Sequence, residues 1–391
     1  MNASGNPTSR DFNKALVLDV VLSRAPLTRN ELIELTGLSK ATVSRAVEEL
    51  REDGFVVDGA VDEVTGRGRR STNLDLPGTT GHVVGISFGV QSTGVLVADL
   101  RGREVQHVVV PTPDHRGVAN AAEWLVGLMA EASGPAEGPL RQVVVAVPGR
   151  VRGGTEIFGP ASSTQVFSGD GLQRALAGLV DAPVLLDSDA NASLLVILTE
   201  DATLGNAVLF SVSSILGFAS CTDHDLVRGR TPAFGDIGVL CSGVGDEPLD
   251  GLLSTSGLLR FARGRGLELE RVDELWLRQH DESARAAVLD AFTTALVTAV
   301  SAVVVTLDPE SVFFTGRLRP LVDEVLPEVR RRLGTTLPTV PEVESATQEL
   351  GLSVARGAVY ASLGMSRDLL RDAVLGARRQ GAQTEQLAPA F

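Results

Sequence analysis

Residues 27–73 constrain this chain most, because a helix, a tight turn, a second helix and an arginine-glycine loop follow there in the order of a winged helix-turn-helix. Thr28 with Glu31 three residues later has capping-box spacing, and Leu32, Ile33 and Leu35 supply the apolar face of a short first helix. Gly37 and Leu38 form the turn, and Ser39 is placed to cap a second helix from Lys40. Val43, Val47 and Leu50 then fall at i, i+4 and i+7 and share a buried side, which leaves Ala41, Ser44 and Arg45 outward or flanking. Glu48, Glu49 and Glu52 crowd the later outer face and repel phosphate, so only the N-terminal half can enter a groove. Phe12, Leu16 and Val20, spaced by four, predict an amphipathic helix ahead of the pair and so a three-helix core.

The segments 55–57 and 74–76 read as paired strands around a loop holding Arg67, Arg69 and Arg70 between glycines. Arginines spaced by glycine suit a narrow minor groove. For a double-stranded DNA operator, Ser39 and Lys40 are therefore assigned to phosphate, Thr42, Ser44 and Arg45 to base edges, and Arg67, Arg69 and Arg70 to the wing. Either motif alone has a bland reading, as packed helices or a solvated loop; their succession gives them weight.

A small reader cannot account for 391 residues, nor for a net charge of −14. Residues 1–80 hold 10 basic and 12 acidic residues, so most of the acidity belongs to the remainder and DNA affinity must be local and shared by paired readers. Cys221 and Cys241 are the only cysteines, too few for a disulfide framework or a thiolate zinc site, and they read as two buried thiols in a reducing cytoplasm. Residues 1–10 are polar and predict no signal peptide, and the uncharged run 291–307 between Asp290 and Asp308 predicts a core helix, with no membrane partner.

From His82 the pattern becomes α/β. Strands are expected at 83–87, 93–99 and 104–110, a helix at 119–132, a strand at 142–147 ending in Pro148-Gly149, and a strand at 184–186 that delivers Asp187, Ser188 and Asp189 to a helix over 190–199. A second meander follows at 207–212 and 218–223, with 225–229 leading into a further turn, then a strand at 311–315 and a helix at 351–363. The expected domains are a winged helix-turn-helix at 1–80, a first lobe at 81–200, a second lobe at 201–378 and a tail at 379–391 of disordered composition. Carboxylates at a strand's C-terminal end usually face a ligand crevice.

With these residues laid out, the chain resembles the ROK family of sugar-responsive repressors and sugar kinases. The resemblance rests on Val84-Gly85-Ile86, Val145-Ala146-Val147-Pro148-Gly149, Asp187-Ser188-Asp189-Ala190-Asn191-Ala192, Gly235-Asp236-Ile237-Gly238 and the late helix with Gly357-Ala358. It implies an actin-like ATPase (ribonuclease H-like) sugar kinase fold behind the winged helix. Ser87, Gly89, Val90 and Gln91 stand where family kinases carry an Asp and Gly-Gly-Thr, branched or bulky side chains occupy places in residues 213–219 that the glycine-rich second phosphate loop needs for close backbone approach, and Arg317 follows Gly316. Val239 replaces the zinc-binding His, and Cys241 alone remains near the cysteine cluster, with Asp246, Glu247 and Pro248 in the other places. The resemblance thus implies no nucleotide cofactor, no metal and no enzyme activity. On the sugar side it places Asp189 at the general base, Ser188 at a neighbouring Asn, Asp236 and Asp250 at two Glu positions, and Ser162 near a further Asn. The function implied is a DNA-binding repressor, a homodimer or homotetramer, sensing a small sugar-like effector. The alternatives are an active ATP-dependent sugar kinase that binds DNA, and a DNA-bound scaffold governed by a protein partner.

Overall fold

In the reader, each helix starts where a side chain satisfies the free N–H groups of its first turn. The computed structural model describes residues 8–61, 72–115, 117–159, 167–231, 233–277, 281–346 and 351–375. Helix α1 (Ser9–Arg24) opens on a capping box from Thr8 to Asp11, and α2 (Arg29–Thr36) on one from Thr28 to Glu31. Gly37 closes α2 at φ +67°, and Ser39 caps α3 (Lys40–Glu52), whose Val43, Val47 and Leu50 are buried. Strands β1 (Val57–Val61) and β2 (Thr72–Asp75) pair antiparallel. The first begins later than the apolar run at 55–57 because the Phe55 N–H still bonds back to the Leu50 carbonyl.

The stripe expected on α1 is corrected: Phe12 is 57% and Leu16 41% exposed, while Val17, Leu18, Val21 and Leu22 are buried. This helix packs against both α3 and a late helix, so its broader valine-leucine face wins over the residues spaced by four. Leu35 is also exposed, at 55%, at the outer side of α2.

The first lobe is built on a five-stranded sheet. An antiparallel meander of β3 (His82–Phe88), β4 (Ser92–Asp99) and β5 (Glu104–Pro111) is joined through α4 (Val118–Ser133) to β6 (Leu140–Val147). The hairpin of β7 (Arg150–Arg152) and β8 (Glu156–Phe158) and the helix α5 (Gly171–Ala177) precede β9 (Val184–Ser188) and α6 (Asp189–Glu200). Sheet order is β5-β4-β3-β6-β9, with β6 parallel to both β3 and β9.

The second lobe repeats the plan. Strands β10 (Ala207–Val212), β11 (Leu216–Thr222) and β12 (Asp225–Leu226) form the meander. Helices α7 (Leu249–Leu253), α8 (Thr255–Gly264), α9 (Glu274–Leu277) and α10 (Glu282–Leu307) lead to β13 (Ser311–Thr315), α11 (Arg319–Thr336) and β14 (Glu342–Ser345). Its order is β12-β11-β10-β13-β14. Among the described residues α10 alone is long and apolar enough to cross a membrane, yet Val288, Phe292, Leu296 and Val300 bury it in this lobe's core.

The last helix, α12 (Leu352–Val374), falls within the 201–378 segment expected in the second lobe but lies on the first sheet. Two glycines permit it: a Cβ on Gly85 would stand 2.2 Å from the Ala355 carbonyl oxygen, and one on Gly357 would stand 1.9 Å from that of Ala192 in α6. Farther along, Leu363 and Leu370 of α12 join Leu18, Val21 and Leu22 of α1 and Leu100 in one hydrophobic core. Each such side chain withdrawn from water contributes about 1.5–3 kcal/mol, so the reader is built onto the body rather than tethered to it. Arg101 adds a polar clamp, donating to the Asp75 carboxylate at 2.6 Å and to the Leu76 carbonyl.

Candidate DNA-reading face and effector cleft

The exposed start of α3 carries the expected base- and phosphate-facing residues. Ser39 Oγ accepts the Thr42 N–H at 3.2 Å and lies 2.9 Å from the Thr42 hydroxyl, so both side chains are ordered by the cap. Lys40 and Arg45 are exposed and Ser44 is half-buried. The acidic later turn is more neutral than its sequence suggests, because Arg29 and Arg51 engage Glu48 at 3.2 and 3.0 Å and Arg10 engages Glu49 at 2.9 Å. Arg67, Arg69 and Arg70 lie outside the described residues.

Between the lobes is a cavity of about 710 Å³, with Ser87, Gln91 and Asp189 on one side and Ser213, Trp276 and Arg317 on the other. Asp189 opens α6 at its floor. Burial pushes its carboxyl up to about 7, against the pull of hydrogen bonds from its own and the Ala190 backbone N–H. It therefore holds or releases a proton near neutrality, as a group facing sugar hydroxyls can use.

The other expected ligand residues are drawn elsewhere. Ser188 caps α6 by accepting the Asn191 N–H at 3.1 Å, and it faces a separate pocket of about 60 Å³ beside Arg150 and Arg228. Asp236 is paired with Arg150 at 2.5 Å. Asp250 accepts the Leu216 N–H at 2.8 Å, and burial, then repulsion from Asp236, raises its pKa. Neither Asp236 nor Asp250 lines either cavity, so of the four expected ligand residues among the described residues the arrangement brings Asp189 alone to the large cavity. Ser162 lies outside the described residues.

Sequence reasoning missed the arginines that lace the lobes together. Arg228 reaches Asp187 at 2.8 Å, where Asn191 and the Ser188 N–H also donate, and Arg150 reaches Asp236. Arg317 donates across the cavity to the Gln91 side-chain oxygen. No periodicity announces such pairs; the only signal was that Arg150 and Arg317 each follow a turn glycine.

The expected pair of buried thiols is corrected too: Cys221 is buried and Cys241 is exposed, on the surface loop beside Val239. Among the described residues no cluster of three or more His, Cys, Asp or Glu side chains is placed to hold a metal ion.

The ROK family model matches residues 83–360, and a MarR family model matches residues 11–68. The chain belongs to the ROK family. Curated relatives of this ROK chain include the xylose repressors of Caldicellulosiruptor bescii, 26% identical over 242 residues, and of Bacillus subtilis, 24% identical over 246. The matched region spans 60% of each relative and 60% and 59% of this chain. Among solved structures, a ROK transcriptional regulator described as a homologue of the E. coli MLC protein superposes with TM-score 0.72 at 15% identity, covering 94% of this chain and 99% of its own. A ROK hexokinase from Thermus thermophilus superposes with TM-score 0.61 at 24% identity, covering 73% of this chain and 99% of its own. Both carry the two-lobed fold; the regulator's coverage extends over the reader as well.

Proposed function

We propose that this ROK chain is a cytoplasmic transcriptional repressor that docks on operator DNA as a homodimer or homotetramer and senses a sugar in its interlobe cleft without phosphorylating it. One observation carries the reading: Asp189 in the cleft begins α6, α6 lies without a gap on α12 at Gly357, and α12 shares its core with α1 of the reader. A ligand that shifts α6 has a packed route to the DNA-reading helices, and coupling along it is reciprocal. The chain's similarity to xylose repressors supports a sugar as the effector. Ser39 and Lys40 hold phosphate, Thr42, Ser44 and Arg45 read bases, and Arg67, Arg69 and Arg70 form the wing.

The kinase reading is weaker because phosphoryl transfer needs metal and phosphates positioned together. Ser87 stands at the expected carboxylate, and the Arg317–Gln91 contact crosses the space between the lobes. The experiment is to select genomic duplexes bound by the purified protein, then release them with a panel of neutral and anionic sugars while following ATP consumption. Sugar-driven release that Asp189→Ala abolishes, with operator binding retained and ATP untouched, supports the repressor. Sugar-dependent ATP turnover contradicts it.

A further inference from the structure

The far wall of the cleft carries a donor set outside the sugar-side residues named above. Gly316 holds φ +104° with a would-be Cβ 2.6 Å from the Val212 carbonyl oxygen, so the residue that follows β13 must be glycine, and Arg317 comes next. The Arg317 guanidinium bonds to the neutral amide oxygen of Gln91, on the opposite lobe. Among the described residues no carboxylate lies within ion-pair distance of it. Asp273, which feels its charge, is already gripped through both oxygens by Arg271. A guanidinium has five N–H donors in a rigid fork that matches an oxyanion, and a neutral amide is a poor match for it.

The wall around Arg317 is hydroxyl-rich. The Ser213 N–H bonds to the Ile215 carbonyl at 3.3 Å and the Thr255 N–H to the Ser213 carbonyl at 2.7 Å, which fixes the loop carrying Ser213 and Ser214. The hydroxyls of both serines line the cavity and make no hydrogen bond among the described residues. The acids facing the same space are few: Asp273 is neutralised by Arg271, Glu270 is exposed at the rim, and Asp189 sits on the floor. The volume, about 710 Å³, leaves room for a ring and a charged substituent together.

We propose that the effector of this cleft is a sugar bearing an oxyanion, phosphate or carboxylate. Arg317 takes the oxyanion in place of Gln91, the Ser213 and Ser214 hydroxyls donate to its remaining oxygens, and the ring faces Asp189. The inference rests on the sugar-sensing reading above and names the ligand class for that site. The Arg317 donor is ionised in either case, so the exchange replaces a single bond to a neutral amide oxygen with a forked pair of bonds to an anion, which adds geometric specificity as well as energy.

The test titrates the full-length protein calorimetrically with xylose and glucose, their monophosphates, xylonate, glucuronate and inorganic phosphate. A charged sugar is expected to bind at least about tenfold more tightly than its neutral parent, and whether the phosphate or the carboxylate holds that margin identifies the oxyanion. Arg317→Gln removes the margin, and so does Gln91→Glu, which sets a carboxylate against the guanidinium. Equal affinity for neutral and charged sugars, or a margin that survives both substitutions, overturns the oxyanion while leaving sugar sensing intact. Inorganic phosphate binding as tightly as the sugar phosphates overturns the sugar part, and silence from every carbohydrate overturns both the inference and the reading beneath it.

Discussion

Replacing Asp189 with Asn should stabilise the protein above neutral pH and do little in acid. Burial raises the carboxyl from its ordinary 3.8 to about 7, so the native state binds this proton more tightly than the unfolded chain does. Below the unfolded pKa both states are protonated and the residue costs nothing. As pH rises towards the folded pKa the unfolded state ionises first, and stability drains until the full penalty stands above about pH 7. A rise of some three units at about 1.4 kcal/mol each gives roughly 4 kcal/mol. The carboxyl lines an open cleft whose water relieves part of that, so about 2 kcal/mol is expected. At 2–4 °C per kcal/mol for a body of this size, Asp189→Asn should melt about 4 °C or more above the parent near pH 8, and within about 1 °C of it near pH 4. Scanning calorimetry without ligand at the two pH values is the assay. A gap of the same size at both, or a variant that melts lower near pH 8, refutes a buried, proton-holding carboxyl.

Other expectations follow from the same packing. Arg45→Ala should flatten discrimination between cognate and random duplexes, whereas Lys40→Ala should weaken both together and reduce the salt slope by about one, as measured by fluorescence anisotropy. Arg101→Ala removes the ion partner of Asp75 and frees the Leu76 carbonyl; a loss of about 1.5–3 kcal/mol at this joint should speed proteolysis near residues 76–82 and lower duplex affinity. Gly357→Ala sets a methyl 1.9 Å from the Ala192 oxygen, so α12 must lift from α6; the melting point should fall by the equivalent of about 1–3 kcal/mol and effector-driven DNA release should weaken more than effector binding does.

The strands at Ala207–Val212 and Ser311–Thr315 coincide with their apolar runs, because a strand buried on both faces leaves a continuous hydrophobic block with turn residues at each end. The turn and caps of the reader were equally legible, since Thr28, Gly37 and Ser39 act on neighbours a few residues away. The α1 stripe misled for the opposite reason. Phe12 and Leu16 share a face with Val20, but the faces that α3 and α12 cover are decided by elements far along the chain. Distance in sequence also hid the ties across the cleft. Arg317 and Gln91 are 226 residues apart, and Arg228 and Asp187 are 41 apart, so neither pairing leaves a local pattern. Asp236 and Asp250 matched motif positions, yet a motif records residue type and place while silent about the Arg150 side chain and the Leu216 N–H that occupy them.

The most direct measurement is duplex affinity of the full-length protein with the cleft empty and with it saturated by the tightest-binding sugar, alongside sugar affinity with and without duplex. The account predicts that sugar weakens DNA binding by about 5- to 150-fold and that duplex weakens sugar binding by the same factor. Sugar that fills the cleft while leaving duplex affinity unchanged would contradict a route from Asp189 through α6 and α12 to the reader.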